Sequence, residues 1–356
     1  MKGMYEGQRI PSQKLWNFCH EIFQKLGLPE DDAAIMANDL IQTDLRGVYS
    51  HGIMRLEILV KRAEAKVNAA TPDIRVVQDH QATVLVDGDN GMGQVVSHKA
   101  MQIAIRKAKE FGISGVGVFN SNHNGTEANW AMMALEHEMI GFCFTTGGVN
   151  IMAPTGGYDR VLGNNPFAFA FPTGDQWDFP IVFDLACSTV ARGWIVLAMK
   201  QGEEVPEGWA LDKEGNPTTN AKEAYEGSVL PIGDYKGYGL SLIVGILSSV
   251  LTGGAIGNEV TEFYHDFERK QNIGHFMGAI DIGAFIPFDA FTQHLDTLIT
   301  FIKASRKRQG VEKIYVPGEK EYETYQVNSK QGIPVPTAVL KEIERLAEKY
   351  AIDWTL

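Results

Sequence analysis

Residues 113–145 read ISGVGVFNSNHNGTEANWAMMALEHEMIGFCFT. An apolar, β-branched run from Ile113 to Phe119 is followed by a polar loop, a helical stretch from Thr126 to Met139 and a second apolar run from Ile140 to Thr145. Short apolar runs bounded by turn residues are typical of strands, and here strand and helix signals occur side by side. The stretch therefore predicts a mixed α and β domain.

The same texture extends through the middle of the chain, whereas the ends are helical. Further strand-like runs cover Ala82 to Val86, Phe167 to Phe171, Pro180 to Phe183 and His275 to Ile286, and a helix is expected over Val95 to Phe111. On the N-terminal side, Ser12 can cap a helix that stops at Gly27, Pro29 can begin a second and a third is expected from Ser50. Helical patterns return at residues 289–308 and 337–350.

Composition excludes several classes of protein. The 356 residues contain 32 Lys plus Arg against 44 Asp plus Glu, a net charge of −12, and an acidic chain without a basic patch argues against nucleic-acid binding. Cys19, Cys143 and Cys187 are too few and too scattered for a disulfide framework, which favours a reduced, cytoplasmic setting.

No segment is predicted to serve as a signal or to cross a membrane. Met1 to Leu15 lacks the apolar core of a signal peptide. Residues 237–258 are uncharged, but the pair Gly253-Gly254 should end that helix after about 17 residues, or roughly 25 Å, which is less than the ~30 Å of a bilayer core. We interpret this stretch as a buried core helix.

The common nucleotide and hydrolase motifs are incomplete or absent. Gly91-Met92-Gly93 and Gly115-Val116-Gly117 both lack the third glycine of a dinucleotide-binding fingerprint. The sequence contains no P-loop, no HExxH zinc motif and no GxSxG nucleophile elbow. A Rossmann fold is therefore not indicated.

The first candidate site lies in the run from Asp44 to Arg55. Ser50 stands where a loop should enter a helix, and His51 and Arg55 are four residues apart, so they share a helix face. Arg grips a carboxylate through two donors, and His titrates near neutral pH, so the pair suits a small carboxylic acid. The structural alternative is a capped helix with a solvated Arg and a surface His.

Three further segments combine turn and polar residues. His123 lies on a loop between a strand and a helix, where functional residues concentrate, although Asn and Ser there are also ordinary turn formers. Phe183 to Gly193 predicts a strand ending at a helix start that could take a phosphate, with Cys187 read as a small buried residue rather than a nucleophile. Lys236 stands at the mouth of an apolar helix, where it could pair with a phosphate or be solvated.

Together these segments resemble the second type of malate/L-lactate dehydrogenase, a family that includes ureidoglycolate, sulfolactate and diketogulonate oxidoreductases. The resemblance also rests on Gly163-Asn164-Asn165-Pro166 and on residues 206–210, and it runs in order from Asp44 to about Lys320. It implies an α+β fold without a Rossmann domain, in which residues 1–80 with about 288–356 form a helical domain and residues 81–287 form a mixed-sheet domain. It also implies a homodimer with the active site near the interface.

The resemblance implies hydride transfer between a nicotinamide cofactor and a small 2-hydroxy or 2-oxo acid, without a metal. His123 would be the general acid/base, and Ser50, His51 and Arg55 would hold the substrate, although some relatives assign the proton to the residue matching His51. Cofactor contacts are implied at Val182, Phe183, Asp184, Leu185, Ala186, Cys187, Ser188, Tyr235, Lys236, Gly318, Glu319 and Lys320.

Several functional alternatives remain open at this point. NAD is the first candidate cofactor and NADP the second, because the ribose-reading position cannot be identified without the Rossmann landmarks. Malate with oxaloacetate is the first candidate substrate pair, ahead of lactate, ureidoglycolate and a cyclic imino acid. A non-catalytic nucleotide-binding scaffold is the alternative outside enzymes.

Overall fold

A computed structural model describes residues 7–355, which form both strands and helices. The strands are β1 (Gln8–Ile10), β2 (Arg75–His80), β3 (Thr83–Asp87), β4 (Gly115–Ser121), β5 (Met139–Thr145), β6 (Phe167–Phe171), β7 (Ile181–Leu185), β8 (Ala210–Leu211), β9 (Pro217–Thr218), β10 (Ser228–Val229), β11 (Ile273–Asp281) and β12 (Ile333–Val335). The helices are α1 (Ser12–Lys25), α2 (Glu30–Leu45), α3 (Leu56–Glu64), α4 (Gly93–Phe111), α5 (Glu127–Met132), α6 (Arg192–Gln201), α7 (Ala221–Glu226), α8 (Tyr235–Gly245), α9 (Phe288–Lys303), α10 (Glu319–Gln331) and α11 (Thr337–Tyr350).

A mixed sheet of seven strands forms the centre of the fold. Its order is β2-β3-β4-β11-β5-β6-β7, and only the β3–β4 pair, joined through α4, is parallel. Side chains alternate across this sheet because successive strand residues point to opposite faces. Val116, Cys143 and Met277 pack with α4 in one core, while Phe142 and Phe144 lie on the other face with Phe167, Phe169 and Phe276.

The two ends of the chain build a separate helical core. β1 pairs antiparallel with β12, with Gln8 opposite Val335. The apolar stripes of α1, α2, α3 and α11 meet in one buried cluster that also contains Ile333 and Val335. The α+β class with a helical part from both chain ends and a mixed, non-Rossmann sheet is therefore confirmed, while the boundaries at residues 80 and 288 stay a prediction.

The apolar stretch of residues 237–258 differs from its prediction. It forms α8 and a π-helical turn (Ile246–Val250), and only one side, including Val244 and Ser248, is buried. On the other side Ile243 is 54% and Val250 63% exposed. The interpretation as a buried core helix is wrong for the single chain, because an uncharged sequence does not tell core from an exposed apolar face. Within residues 7–355 no helix is long and apolar enough to cross a bilayer.

Some helix and strand ends differ from the predicted ones by a few residues. Two 3-10 turns, Tyr49–His51 and Ile53–Arg55, precede α3, whereas a continuous helix was expected from Ser50. Ser12 is the first residue of α1 rather than its cap, and Pro11 precedes it. The strand expected to reach Ile286 ends at Asp281, whose side chain accepts the Gly283 N–H and starts a 3-10 turn.

Candidate active site

A buried carboxylate positions the loop that carries His51. Asp44 lies at the end of α2, is 1% exposed, and its Oδ2 accepts the Ile53 N–H at 2.8 Å. A Cβ at Gly52 would overlap that carboxylate, so only glycine allows this approach. Burial, with the nearby Asp39 charge adding to it, raises the pKa of Asp44 to about 8 although the Ile53 N–H opposes the rise. Asp44 thus fixes the backbone two residues after His51, and its raised pKa favours the neutral carboxyl group.

His123 is held at the end of β4 by close backbone packing. A Cβ at Gly93, the first residue of α4, would overlap the Asn122 carbonyl, so the helix start lies directly against the His123 loop. The His123 N–H donates to Gln271 Oε1 at 3.3 Å, and the Gly125 N–H donates to His123 Nδ1 at 3.3 Å. Gly125 has a φ of +87°, which a residue with a side chain would rarely adopt.

The two imidazoles, 72 positions apart in the chain numbering, meet face to face. The ring centroids of His51 and His123 are 5.8 Å apart with an interplanar angle of 11°. On the far side of His123, the Phe263 ring stacks at 4.7 Å. Ser50 Oγ lies 2.9 Å from His51 Nδ1. The sequence-predicted trio of Ser50, His51 and His123 is therefore one cluster.

Burial, with nearby arginines adding to it, disfavours the charged form of both imidazoles. Arg55 Nε donates to the Ser50 carbonyl at 2.6 Å, and its guanidinium lies over the Tyr264 ring at 5.3 Å. Burial, and then the charge of Arg55 and the other imidazole, lowers the pKa of His51 well below its usual range. Burial, and then the charges of Arg55 and Arg62, lowers the pKa of His123 to about 3. Such a site attracts anions and disfavours a second positive charge.

A cleft of about 470 Å³ opens beside His51. Of the sequence-predicted residues, its wall includes Ser50, His51, Val182, Phe183, Asp184, Ala186, Gly318 and Lys320. Asp184 accepts the Ala128 N–H at 2.9 Å, which ties β7 to the start of α5. Among residues 7–355, no three His, Cys, Asp or Glu side chains converge as metal ligands would.

Other sequence-predicted residues lie outside the cleft wall. His123, Arg55 and Leu185 are not among the residues that line it. Cys187 and Ser188 turn into the protein, where Cys187 Sγ donates to the Asn165 carbonyl and Ser188 Oγ to that of Val190. Glu319 is 3% exposed and pairs with Lys303 and Lys313. Tyr235 and Lys236 are exposed at the start of α8.

Sequence reasoning missed several residues of this region. Thr43, Arg46, Asn129, Tyr315 and Glu321 also line the cleft. Arg46 lies in the run from Asp44 to Arg55, but the sequence does not show that this end of α2 meets α5 and the start of α10 at one cleft. Arg62 and Phe263 lie against each other beside His123. Arg62 had a usable signal, since it follows Arg55 by seven residues and two helical turns return a side chain to the same face.

Comparison with known proteins gives full-length matches. Residues 10–344 match the sequence profile described as malate/L-lactate dehydrogenase. A malate dehydrogenase of Pyrococcus horikoshii is 40% identical over 353 residues, which cover 97% of this chain and 96% of that protein. The solved malate dehydrogenase of Pyrococcus horikoshii superposes with a TM-score of 0.89 at 39% identity, covering 98% and 97% of the two chains. Sulfolactate dehydrogenase from Methanocaldococcus jannaschii superposes with a TM-score of 0.91 at 33% identity, covering 97% and 98%.

Proposed function

Because the chain belongs to the malate/L-lactate dehydrogenase family, we propose that it transfers hydride between a nicotinamide cofactor and a small 2-hydroxy or 2-oxo acid, with malate and oxaloacetate as the first pair. The observation that carries the proposal is the stacked His51–His123 pair, with Arg55 close enough to act on both imidazoles and His51 on the wall of the cleft. The choice of malate rests on the relative at 40% identity, which is a malate dehydrogenase.

The cleft is suited to a nicotinamide dinucleotide. Its volume falls within the roughly 300–1,000 Å³ common for ligand sites. Val182 and Phe183 offer apolar surface to flat rings, and Arg46 and Lys320 offer positive charge to a diphosphate. Gly318 forms a close cradle, since a Cβ there would lie 2.7 Å from the Val182 nitrogen. When bound, the cofactor accepts or supplies the hydride at its nicotinamide ring.

Arg55 is assigned the substrate carboxylate. It has no ion-pair partner among residues 7–355, and its Nε bond to the Ser50 carbonyl fixes the guanidinium beside His51. A planar guanidinium binds a carboxylate through two parallel hydrogen bonds, which orients the carbon next to it. The acid would therefore be held with its hydroxyl or carbonyl oxygen toward the imidazoles.

We assign proton transfer to His51 and hydrogen-bond donation to His123. His123 Nδ1 accepts an amide N–H, so neutral His123 carries its proton on Nε2 and cannot accept another there. The partner of His51 Nδ1 is the Ser50 hydroxyl, which can accept as well as donate. His51 can therefore hold its proton on Nδ1 and keep Nε2 free to take the hydroxyl proton of the substrate.

A substrate panel tests the proposal directly. Oxidation of NADH and of NADPH would be followed by absorbance with oxaloacetate, pyruvate, sulfopyruvate, oxalurate and a cyclic imino acid, with NAD as the first candidate cofactor. Turnover of a 2-oxo acid is expected, and Arg55→Ala should lose most of its kcat/KM. Turnover of the cyclic imino acid alone would reassign the reaction, and cofactor binding without any turnover would favour a scaffold.

We further propose that the chain works as a homodimer through the exposed apolar side of α8. Six large aliphatic side chains are exposed along α8 and the π-helical turn and next to it, namely Leu240, Leu242, Ile243, Ile246, Val250 and Leu251. An apolar patch of this kind on a protein surface usually marks an interface. Tyr235 and Lys236 begin this helix and do not line the cleft of the same chain. In a dimer they could contact the cofactor bound to the partner, which would account for the cofactor contact predicted for them.

Solution mass would test the dimer. Light scattering during size-exclusion chromatography should give twice the chain mass, and Ile243→Glu with Val250→Glu should give the mass of one chain. Val76→Glu, an exposed valine on the edge strand β2, is the control and should leave the mass unchanged. A wild-type protein of single-chain mass would contradict the dimer.

A cytoplasmic location is proposed on the chemistry of the thiols. All three cysteines are free and buried. Proteins that keep free thiols in this way are typical of reducing compartments.

A further inference from the structure

Arg62 is a buried cation whose hydrogen-bonding capacity is only partly used within residues 7–355. Its side chain belongs to α3 and is 0% exposed, yet Nε and Nη2 have no hydrogen-bond partner within residues 7–355. Only Nη1 is engaged, donating to the carbonyls of Phe263 and Asp266 at 3.0 Å each. A buried guanidinium with two empty donor positions is costly unless an anion occupies them.

The charges of Asp266 and Glu262 favour the charged form of Arg62, but the hydrogen bonds of both carboxylates go to other groups. Asp266 Oδ1 accepts the Glu268 and Arg269 N–H groups, and its Oδ2 pairs with the Arg269 guanidinium at 2.7 Å. Glu262 Oε2 accepts the N–H groups of Tyr264 and His265. Neither carboxylate forms an ion pair with Arg62 among the described residues.

Arg62 lies close to the imidazole pair. Its guanidinium carbon is 5.2 Å from the centroid of the Phe263 ring, and the same ring stacks on His123 at 4.7 Å. Arg55 and Arg62 are also separated by two helical turns, so both extend from one side of the chain toward this region. The region thus contains two guanidinium groups and two neutral imidazoles. The carboxylates of Asp266 and Glu262 act on the charge of Arg62, but its Nε and Nη2 donors are still unpaired within residues 7–355, and a second anionic group on the ligand would satisfy them.

We infer that Arg62 binds the second anionic group of a dianionic substrate, so that the site selects 2-hydroxy acids that carry a second carboxylate or a sulfonate. The inference rests on the proposed function and narrows its substrate class. Arg55 takes the carboxylate next to the reacting carbon, and Arg62 takes the distal group with its free Nε and Nη2 donors. A monoanion such as pyruvate leaves those donors empty.

A matched pair of substrates separates this role from a structural one. Oxaloacetate and pyruvate share the 2-oxo acid group and differ by one carboxylate. In Arg62→Met, kcat/KM for oxaloacetate should fall about 10- to 150-fold, as expected for loss of a charged hydrogen bond, while kcat/KM for pyruvate should change less than about threefold. Equal losses for both substrates would show that Arg62 only supports the Phe263 segment, and would overturn the inference.

Arg160 provides the control, because it too donates to two backbone carbonyls, those of Tyr225 and Gly227. Arg160→Met should change both substrates by the same factor. Arg62→Lys keeps the charge, and in it the preference for oxaloacetate should be partly retained. If Arg62→Met does not fold, Arg62→Gln also removes the charge and gives the same comparison.

Binding without turnover distinguishes failure of the inference from failure of the proposed function. Tartronate and glycolate are 2-hydroxy acids with two charges and one charge, and their effect on the melting temperature can be measured without cofactor. Wild type should be stabilised by tartronate more than by glycolate. Arg62→Met should lose that difference, and Arg62→Lys should partly retain it. Selective tartronate binding with no redox turnover would refute the dehydrogenase and support the dianion site. Turnover with equal kcat/KM for oxaloacetate and pyruvate would support the dehydrogenase and refute the dianion site.

Discussion

Buried carboxyl groups should make the fold weaken as pH rises above neutrality. Asp39, Asp44 and Glu127 are buried, and burial raises their pKa values to about 7, 8 and 8. In the unfolded chain these groups ionise near pH 4. Between those limits the folded state binds more protons than the unfolded state, so the free energy of unfolding falls as pH rises.

The buried histidines act in the opposite sense at lower pH. Burial lowers the pKa values of His51, His123 and His275 below the usual 6.5. The unfolded chain then binds the extra protons, and the histidine contribution to stability rises with pH until about 6.5, where the unfolded histidines become neutral. Three groups of each kind offset one another between about pH 4 and 6.5. The free energy of unfolding should therefore change little in that range and decline from about pH 6.5 to pH 8.

Replacing Asp44 by Asn isolates one of these carboxyls. One group with a raised pKa contributes a slope of at most about 1.4 kcal/mol per pH unit, so Asp44→Asn should flatten the decline between pH 6.5 and 8 by roughly 1.5–2 kcal/mol in total. Urea unfolding at four pH values in this range measures the slope. Asn can still accept the Ile53 N–H. A loss of stability that is the same at every pH would not change the slope of the free energy of unfolding against pH.

The matched control is Asp31→Asn, an exposed acid near the start of the same helix, which should keep the wild-type slope. If Asp44→Asn and wild type lose stability in parallel between pH 6.5 and 8, Asp44 is ionised in the fold and the reasoning from burial is wrong.

Three further predictions follow from the site and the core. His51→Asn should reduce kcat by about 10²–10⁴-fold, because Asn cannot take a proton. His123→Asn should reduce kcat by less, because the Asn side chain can still donate a hydrogen bond. A larger loss in His123→Asn than in His51→Asn, measured by stopped-flow assays, would assign proton transfer to His123. Gly52→Ala should lower the free energy of unfolding by about 1–3 kcal/mol through overlap with Asp44, whereas Gly193→Ala, whose Cβ would meet nothing within 4 Å, should be neutral or stabilising; equal melting temperatures for the two variants would contradict the steric account. The three buried thiols should react with a thiol reagent only after unfolding, and rapid labelling of the native protein would contradict their burial.

Sequence patterns predicted the elements that local chemistry decides. The apolar runs became β3, β4, β5, β6 and β7 to within a few residues, because period and turn residues are properties of short segments. His51 and His123 were predicted from their positions at a helix entrance and a strand end. Their stacking was not derivable from either motif, since it depends on the packing of α2, α4 and β4 around them.

What sequence reasoning missed depends on contacts between distant segments. Phe263 reaches His123 because the chain from Thr261 to Gln271 leads directly into β11, which pairs with β4. The Asp44 carboxyl group reaches the Ile53 N–H only because Gly52 has no side chain in its way. The apolar α8 was assigned to the core because composition reports how apolar a segment is, and not whether its cover belongs to the same chain.

The position of β11 has a consequence for biosynthesis. This strand lies between β4 and β5, and its His275 contacts Thr145 across 130 residues of chain. A ribosome that has released β4 and β5 still lacks the strand that joins them, so the two halves of the sheet present open edges until translation passes Asp281. Such delayed pairing is slow and exposes strand edges to association with other chains. We expect the nascent protein to depend on chaperones most strongly in that interval, when its central strand is still being made.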